Sequence, residues 1–474
     1  MMTAGEALAA IRTAVGPKGW IDDAAAMEPY LKESRGLYRG HCAAIVRPAS
    51  TAETADVVRL CAAVGLPITP QGGNTGHVGG GVPEGGIILS VGRMNRIRTI
   101  DPLNHTMTVE AGCILAEIQR AAENIGCLFP LSMASEGSCQ IGGNLSTNAG
   151  GIAVLRYGNA REQVMGLEVV LPDGQVWNGL RGLRKDNTGY DLKHLFIGAE
   201  GTLGVITAAV LKLYPRPKVR ETALAGMASV EAVLDLFARV RDAAGDTLTG
   251  FEMMPRIAVE FSCRHTPGVA DPFGKPHRYY ALIELTSSRA GDPLRDVLQN
   301  ELAQALEGGL IADAVVAASL SQADALWKIR EAIPEAQKHE GGSIKHDISV
   351  PVSRIADFMN LAIPRMEREI PGVRVCAFGH VGDGNIHFNL SQPIGADRQA
   401  FLDRWQPINR IVNAMVADLG GSISAEHGIG RLKVNQLREF KPEPEIAMMR
   451  KIKAALDAGN IMNPGKVILP QDKR

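Results

Sequence analysis

The chain has 474 residues, 45% of them apolar and 21% charged, with a formal net charge of −1. That length exceeds a single hydrophobic core and predicts two or three domains, while the balanced charge removes the electrostatic case for nucleic acid or an anionic membrane surface. Seven cysteines without a Cys-x-x-Cys argue against a disulfide framework, an iron–sulfur site and a zinc finger.

No apolar run approaches the length of a membrane span. Residues 1–16 read as a short amphipathic helix rather than a secretion signal, and the expected location is cytoplasmic. Residues 43–47 read as a strand, and Ser50-Thr51-Ala52-Glu53 is a capping signature opening a helix that runs to Gly65. A short strand at 67–69 leads into a glycine-rich loop, residues 70–83. Strands follow at 87–90 and 106–110, then a helix at 114–125 that Gly126 stops.

Residues 135–151 form a second loose segment, rich in glycine, hydroxyl and amide side chains. A hairpin is expected from 164–171 through Asp173-Gly174 to 175–177. A third glycine-studded segment, 196–207, runs into a strand, and Pro215-Arg216-Pro217 marks a domain boundary. Backbone amides exposed by glycine bind phosphates, so three such segments point to an extended ligand such as a dinucleotide. Gly198-x-x-Gly201-x-x-Gly204 is not a Rossmann fingerprint, because it leads into a strand rather than a helix. Pro464-Gly465-Lys466-Val467 lacks the rest of a phosphate loop.

Beyond residue 219, helices at 229–244, 288–308 and 396–418 alternate with a strand at 278–285 and a hairpin at 374–390. This predicts an antiparallel sheet with helices on one side. A two-residue turn at Asp383-Gly384 would pair Gly382 with Asn385, Val381 with Ile386, and His380 with His387. Directly opposed residues lie about 5 Å apart, so the two imidazoles can share a metal ion, with Asn389 on the same face. Ser424-Ala425-Glu426-His427-Gly428 offers a carboxylate and a third imidazole. His380, His387 and Glu426 form a set suited to Zn²⁺, with Mn²⁺ or Fe²⁺ nearly as well accommodated.

Three stretches together resemble the FAD-binding domain of the vanillyl-alcohol oxidase/p-cresol methylhydroxylase family: Gln71-Gly-Gly-Asn-Thr-Gly76, residues 137–151, and Phe196-Ile-Gly-Ala-Glu-Gly-Thr-Leu-Gly204. Gly379-His-Val-Gly-Asp-Gly-Asn-Ile-His387, Ala425-Glu-His-Gly428, Arg184-Lys-Asp-Asn-Thr-Gly-Tyr-Asp191 and Lys345-His-Asp-Ile-Ser-Val-Pro351 resemble its branch of FAD-linked D-2-hydroxy acid dehydrogenases. The resemblance implies an α+β protein. A two-part FAD-binding domain of the p-cresol methylhydroxylase type (38–217) follows an N-terminal helical segment (1–37). Next come a substrate or cap domain with an antiparallel sheet (218–420) and a helical C-terminal segment completing the active site (421–474).

It further implies FAD cradled by Gly72, Gly73, Asn74, Thr75 and Gly76. Gly137, Ser138, Gly142, Gly143, Asn144, Thr147, Asn148 and Gly151 would run along the cofactor, and Glu200, Gly201, Val205 and Ile206 would close the site. Relatives with covalent flavin carry His where this chain has Asn74, so the FAD is expected to be non-covalent. The implied reaction oxidises a D-2-hydroxy acid to the 2-oxo acid, with D-2-hydroxyglutarate as the expected substrate. D-Lactate, D-malate and a glycolate-oxidase-type subunit remain alternatives. His427 is the expected base, Arg330 the carboxylate-binding cation, Lys345 its helper and Asn389 a hydrogen-bond donor. Pro334 stands where some relatives place a hydroxyl residue. The expected acceptor is an electron-transfer flavoprotein or a quinone, and a homodimer is expected.

Overall fold

The computed structural model describes residues 2–469; Met1 and residues 470–474, the outer ends of the expected N-terminal helix and C-terminal segment, lie outside the described residues. The chain folds as two compact units. One comprises residues 2–151, 157–216 and 426–469, and the other residues 152–156 and 217–425.

The first unit contains two main sheets. Ile68–Gln71, Ile87–Ser90 and Ala44–Val46 run parallel, with Trp20–Ile21 added antiparallel at the edge. The second sheet is antiparallel, in the order Ile97–Asp101, Thr106–Glu110, Val205–Lys212, Val164–Val170, Val176–Gly179. Apolar residues from both sheets and from helices Thr51–Val64 and Leu115–Glu123 share one core. The capping signature acts as its chemistry requires: Ser50 Oγ accepts Glu53 N–H at 3.1 Å, and the helix runs Thr51–Val64. The stretch 135–151 is more regular than expected, because Ile141–Ser146 coil into a short helix. Gly142 packs there against Ala111, where a Cβ would meet the Ala111 Cβ at 2.7 Å.

The second unit is built on an eight-stranded antiparallel sheet. Its central order is Asp313–Val316, Val219–Met227, Tyr279–Ser287, Leu248–Pro255, Arg374–His380, Asn385–Ser391. The short strands Ser343–Ile344 and Asp347–Ser349 both pair with Asn385–Ser391. Helices cover both faces rather than the one expected. Val230–Ala244, Leu294–Glu307, Ile355–Glu369 and Trp405–Asp418 pack on one side, Arg256–His265 and Leu320–Ala336 on the other. The reason lies in the strands, which are buried on both sides: Tyr279–Ser287 has no exposed position, so neither face can be left to water. All seven cysteines are free.

Candidate active site

In the first unit, the loop after strand Ile68–Gln71 packs closely on the 138–143 stretch. A Cβ on Gly73 would meet Ser138 O at 2.3 Å, and one on Gly72 would meet Gly143 N at 3.4 Å. None of the backbone N–H groups from Gly72 through Gly76 donates a hydrogen bond among the described residues. A run of unspent amides on a glycine-rich turn is the donor set a diphosphate requires, so the residues present fit FAD.

The side chains expected along the cofactor are largely bound to the chain itself. Asn74 Nδ2 donates to Pro29 O at 3.1 Å and Lys32 O at 2.7 Å. Ser138 Oγ donates to Ser135 O, Thr147 Oγ1 to Gly143 O, and Asn148 Oδ1 accepts Arg161 N–H. Glu200 is buried and accepts Ile429 N–H at 2.7 Å and Gly430 N–H at 2.8 Å. Burial raises its carboxyl to about 7 against the opposing pull of those two amides.

The second unit carries the histidine hairpin, in a different register from the one expected. Val381–Asp383 form a 3₁₀ turn and Gly384 adopts φ +82°, so the connection spans four residues. His380 therefore pairs with Asn385, and His387 with Phe378. A shift of two residues preserves the face, and the imidazoles sit diagonally with ring centroids 5.7 Å apart. Gly384 is required at the turn: its φ is positive, and a Cβ would meet Val350 O at 2.1 Å.

Backbone pairing continues within the second unit from the hairpin to the residue before the carboxylate. Asp347 pairs with His387, Ser349 bridges Ser422, and Ala425 N–H donates to Asp347 O at 3.2 Å. Glu426, the carboxylate expected to join His380 and His387, is the next residue in the chain. The donor set, two imidazoles and a carboxylate, suits a divalent transition metal. His427 also stacks edge-on against His77, with ring centroids 5.0 Å apart.

Arg330 projects from helix Leu320–Ala336 and is buried, not paired along the helix surface. Its Nε donates to Glu252 Oε2 at 2.6 Å, and its guanidinium carbon lies 4.7 Å from the centre of the Phe378 ring. Its terminal nitrogens donate to nothing among the described residues. The other oxygen of Glu252 pairs with His380 Nδ1. Burial alone would raise the Glu252 carboxyl, but His380 and Arg330 hold it down at about 2. Asn389 shares the hairpin face, and its Nδ2 donates to Gln337 Oε1 at 2.9 Å. Lys345 is half-buried just before the Asp347–Ser349 strand. Glu252 and Asp347 escaped the sequence reading. The available signals were one carboxylate in the otherwise uncharged strand Leu248–Pro255, and Asp347 within the Lys345–Pro351 motif.

Residues 216–467 match the family described as FAD linked oxidases, C-terminal domain, and residues 42–179 match an FAD binding domain. The chain belongs to the FAD-linked oxidases. A probable mitochondrial D-2-hydroxyglutarate dehydrogenase of Oryza sativa subsp. indica is 38% identical over 470 residues, covering 97% of this chain and 81% of the relative. A mitochondrial D-2-hydroxyglutarate dehydrogenase of Danio rerio is 40% identical over 437 residues, covering 91% and 79%. Among solved structures, p-cresol methylhydroxylase with substrate bound superposes with a TM-score of 0.79 at 17% identity, covering 99% of this chain and 98% of that one. That likeness establishes the expected fold for this FAD-linked oxidase. Both relatives are named as mitochondrial proteins, which does not accord with a plain cytoplasmic location. No helix among the described residues of this oxidase is long and apolar enough to cross a membrane.

Proposed function

We propose that this FAD-linked oxidase converts D-2-hydroxyglutarate to 2-oxoglutarate, with residues 38–217 holding the cofactor and 218–420 the substrate. The observation that carries the reading is Arg330, a buried guanidinium with its terminal nitrogens unspent, linked through Glu252 to a metal-site imidazole. A cation fixed in that way binds a carboxylate bidentately, and the two curated relatives are named for a substrate with two carboxylates.

FAD, when bound, supplies the hydride acceptor, and the amides from Gly72 through Gly76 hold its diphosphate. Asn74 in place of a flavin-linking His leaves it non-covalent. His380, His387 and Glu426 would hold a divalent cation, Zn²⁺ first, which would supply Lewis acidity toward the substrate α-hydroxyl. Arg330 grips the α-carboxylate, with Lys345 adding charge and Asn389 a hydrogen bond. His427, beside Glu426, takes the hydroxyl proton. Electrons leave to an electron-transfer flavoprotein or a quinone.

The test is anaerobic flavin bleaching by D- and L-2-hydroxyglutarate, D-lactate and D-malate, before and after chelation. Fast bleaching by D-2-hydroxyglutarate alone supports the reading. Faster bleaching by D-lactate or D-malate would reassign the substrate.

A further inference from the structure

We infer that Glu252 is a positioning residue that holds the metal-site imidazole of His380 and the guanidinium of Arg330 in one fixed relation. The inference rests on the function proposed above and assigns a role to a residue outside its substrate, cofactor and metal contacts.

Leu248–Pro255 is a buried strand, and Glu252 within it has no solvent exposure. A carboxylate in such a place is costly unless every oxygen is satisfied, and replacing a buried ion pair with apolar residues is often neutral or stabilising. Stability alone therefore gives a weak reason for this residue. Its two oxygens are divided instead. Oε1 meets His380 Nδ1, on the neighbouring strand where Glu252 and His380 are register partners, and Oε2 meets Arg330 Nε at 2.6 Å.

Each contact sets an orientation. An imidazole whose Nδ1–H is held by a carboxylate presents Nε2 as its lone-pair nitrogen, which fixes the tautomer for metal ligation and raises ligand basicity. A guanidinium held through Nε, with its flat face on Phe378, turns its two terminal nitrogens outward as a pair. One carboxylate thus sets both where the cation sits and where the substrate carboxylate is gripped. The distance between these two groups decides whether an α-hydroxyl and its adjacent carboxylate can be held together.

The test compares wild type with Glu252→Gln, using FAD-loaded protein stripped of metal by chelation. Zn²⁺ titration by calorimetry is expected to show affinity falling 10- to 100-fold in the variant, and KM for D-2-hydroxyglutarate rising with it. A variant that is folded and FAD-replete, with unchanged Zn²⁺ affinity and KM, would overturn the inference and leave Glu252 a structural ion pair. His387→Ala separates this from failure of the underlying reading. If Zn²⁺ affinity is indifferent to His387→Ala, no metal site exists there and both fall. If His387→Ala abolishes binding while Glu252→Gln does not alter it, only the Glu252 role falls. Should Glu252→Gln not fold, imidazole ¹⁵N shifts of the metal-stripped wild type decide, with His380 assigned by His380→Gln. The Nδ1–H tautomer is expected, and the Nε2–H tautomer would overturn the role.

Discussion

Glu200 and Gly430, 230 residues apart in sequence, are joined by a 2.8 Å hydrogen bond from the Gly430 amide to the buried Glu200 carboxylate. The same carboxylate accepts Ile429 N–H, so one side chain clasps the C-terminal stretch of the first unit. Burial raises its carboxyl from 4.5 to about 7. The folded state therefore keeps a proton through a range in which the unfolded chain has lost it, and the sign follows directly. The contribution is fully present below about pH 4.5 and is lost as pH rises through about 7. Its size is on the order of 3 kcal/mol at most. Glu200→Gln, neutral throughout, is expected to flatten the fall in Tm between pH 5 and pH 8 relative to wild type. Parallel curves for the two proteins would show that Glu200 does not titrate in this window.

Gly73 tests the cofactor cradle. A Cβ there would lie 2.3 Å from Ser138 O, so Gly73→Ala must push the first glycine loop away from the 138–143 stretch. Overpacking of this kind costs about 1–3 kcal/mol and displaces the unspent amides from one another. The variant is expected to purify with less flavin per chain, measured by absorbance after denaturation. A flavin content equal to wild type would remove this loop from the cofactor site. In wild type, acid precipitation is expected to release all flavin into the supernatant, because Asn74 offers no covalent link.

Much of the site was legible because parity survives error. The sequence fixes which residues of a strand share a face, since side chains alternate with period two. A hairpin register wrong by two residues still leaves His380, His387 and Asn389 together. The register itself was not legible. Asp383-Gly384 reads as a two-residue turn, yet Val381 begins a 3₁₀ turn that Asp383 Oδ1 stabilises by accepting Asn385 N–H. Long-range partners were equally hidden. Glu252 lies 78 residues from Arg330 and 128 from His380, and nothing local in Phe251-Glu252-Met253 announces either. Sheet coverage was misjudged because a helix amphipathic on its own terms does not say which face of the sheet it will cover.

Arg330 and Glu252 also make a stability prediction separate from catalysis. Arg330→Met keeps the volume but leaves the buried carboxylate with His380 as its only partner among the described residues. Breaking one side of a buried pair costs about 3–5 kcal/mol, a fall in Tm on the order of 10 °C for a domain of this size. Adding Glu252→Gln removes the stranded charge, so the double variant is expected to melt above Arg330→Met alone. A double variant whose loss of stability equals the sum of the losses in Arg330→Met and Glu252→Gln would mean that the two side chains are not energetically coupled. Flavin reduction by D-2-hydroxyglutarate should be lost in both.

Metal removal addresses the hairpin directly. Two imidazoles and one carboxylate, the ligand set proposed in His380, His387 and Glu426, would leave coordination positions for a chelating hydroxy acid. Dialysis against a strong chelator is expected to slow flavin reduction by D-2-hydroxyglutarate at least ~100-fold, the scale of a lost transition-state contact worth several kcal/mol. Flavin absorbance should not change, because the amides assigned to FAD belong to the glycine loops and not to the histidine hairpin. Returning Zn²⁺, Mn²⁺ or Fe²⁺ one at a time ranks the ions by recovered rate. His387→Ala should reproduce the loss without chelator and resist rescue by any of the three. Reduction that is indifferent to both treatments would leave the imidazole pair with a structural role, and His427 would then have to take the hydroxyl proton without help from a Lewis acid.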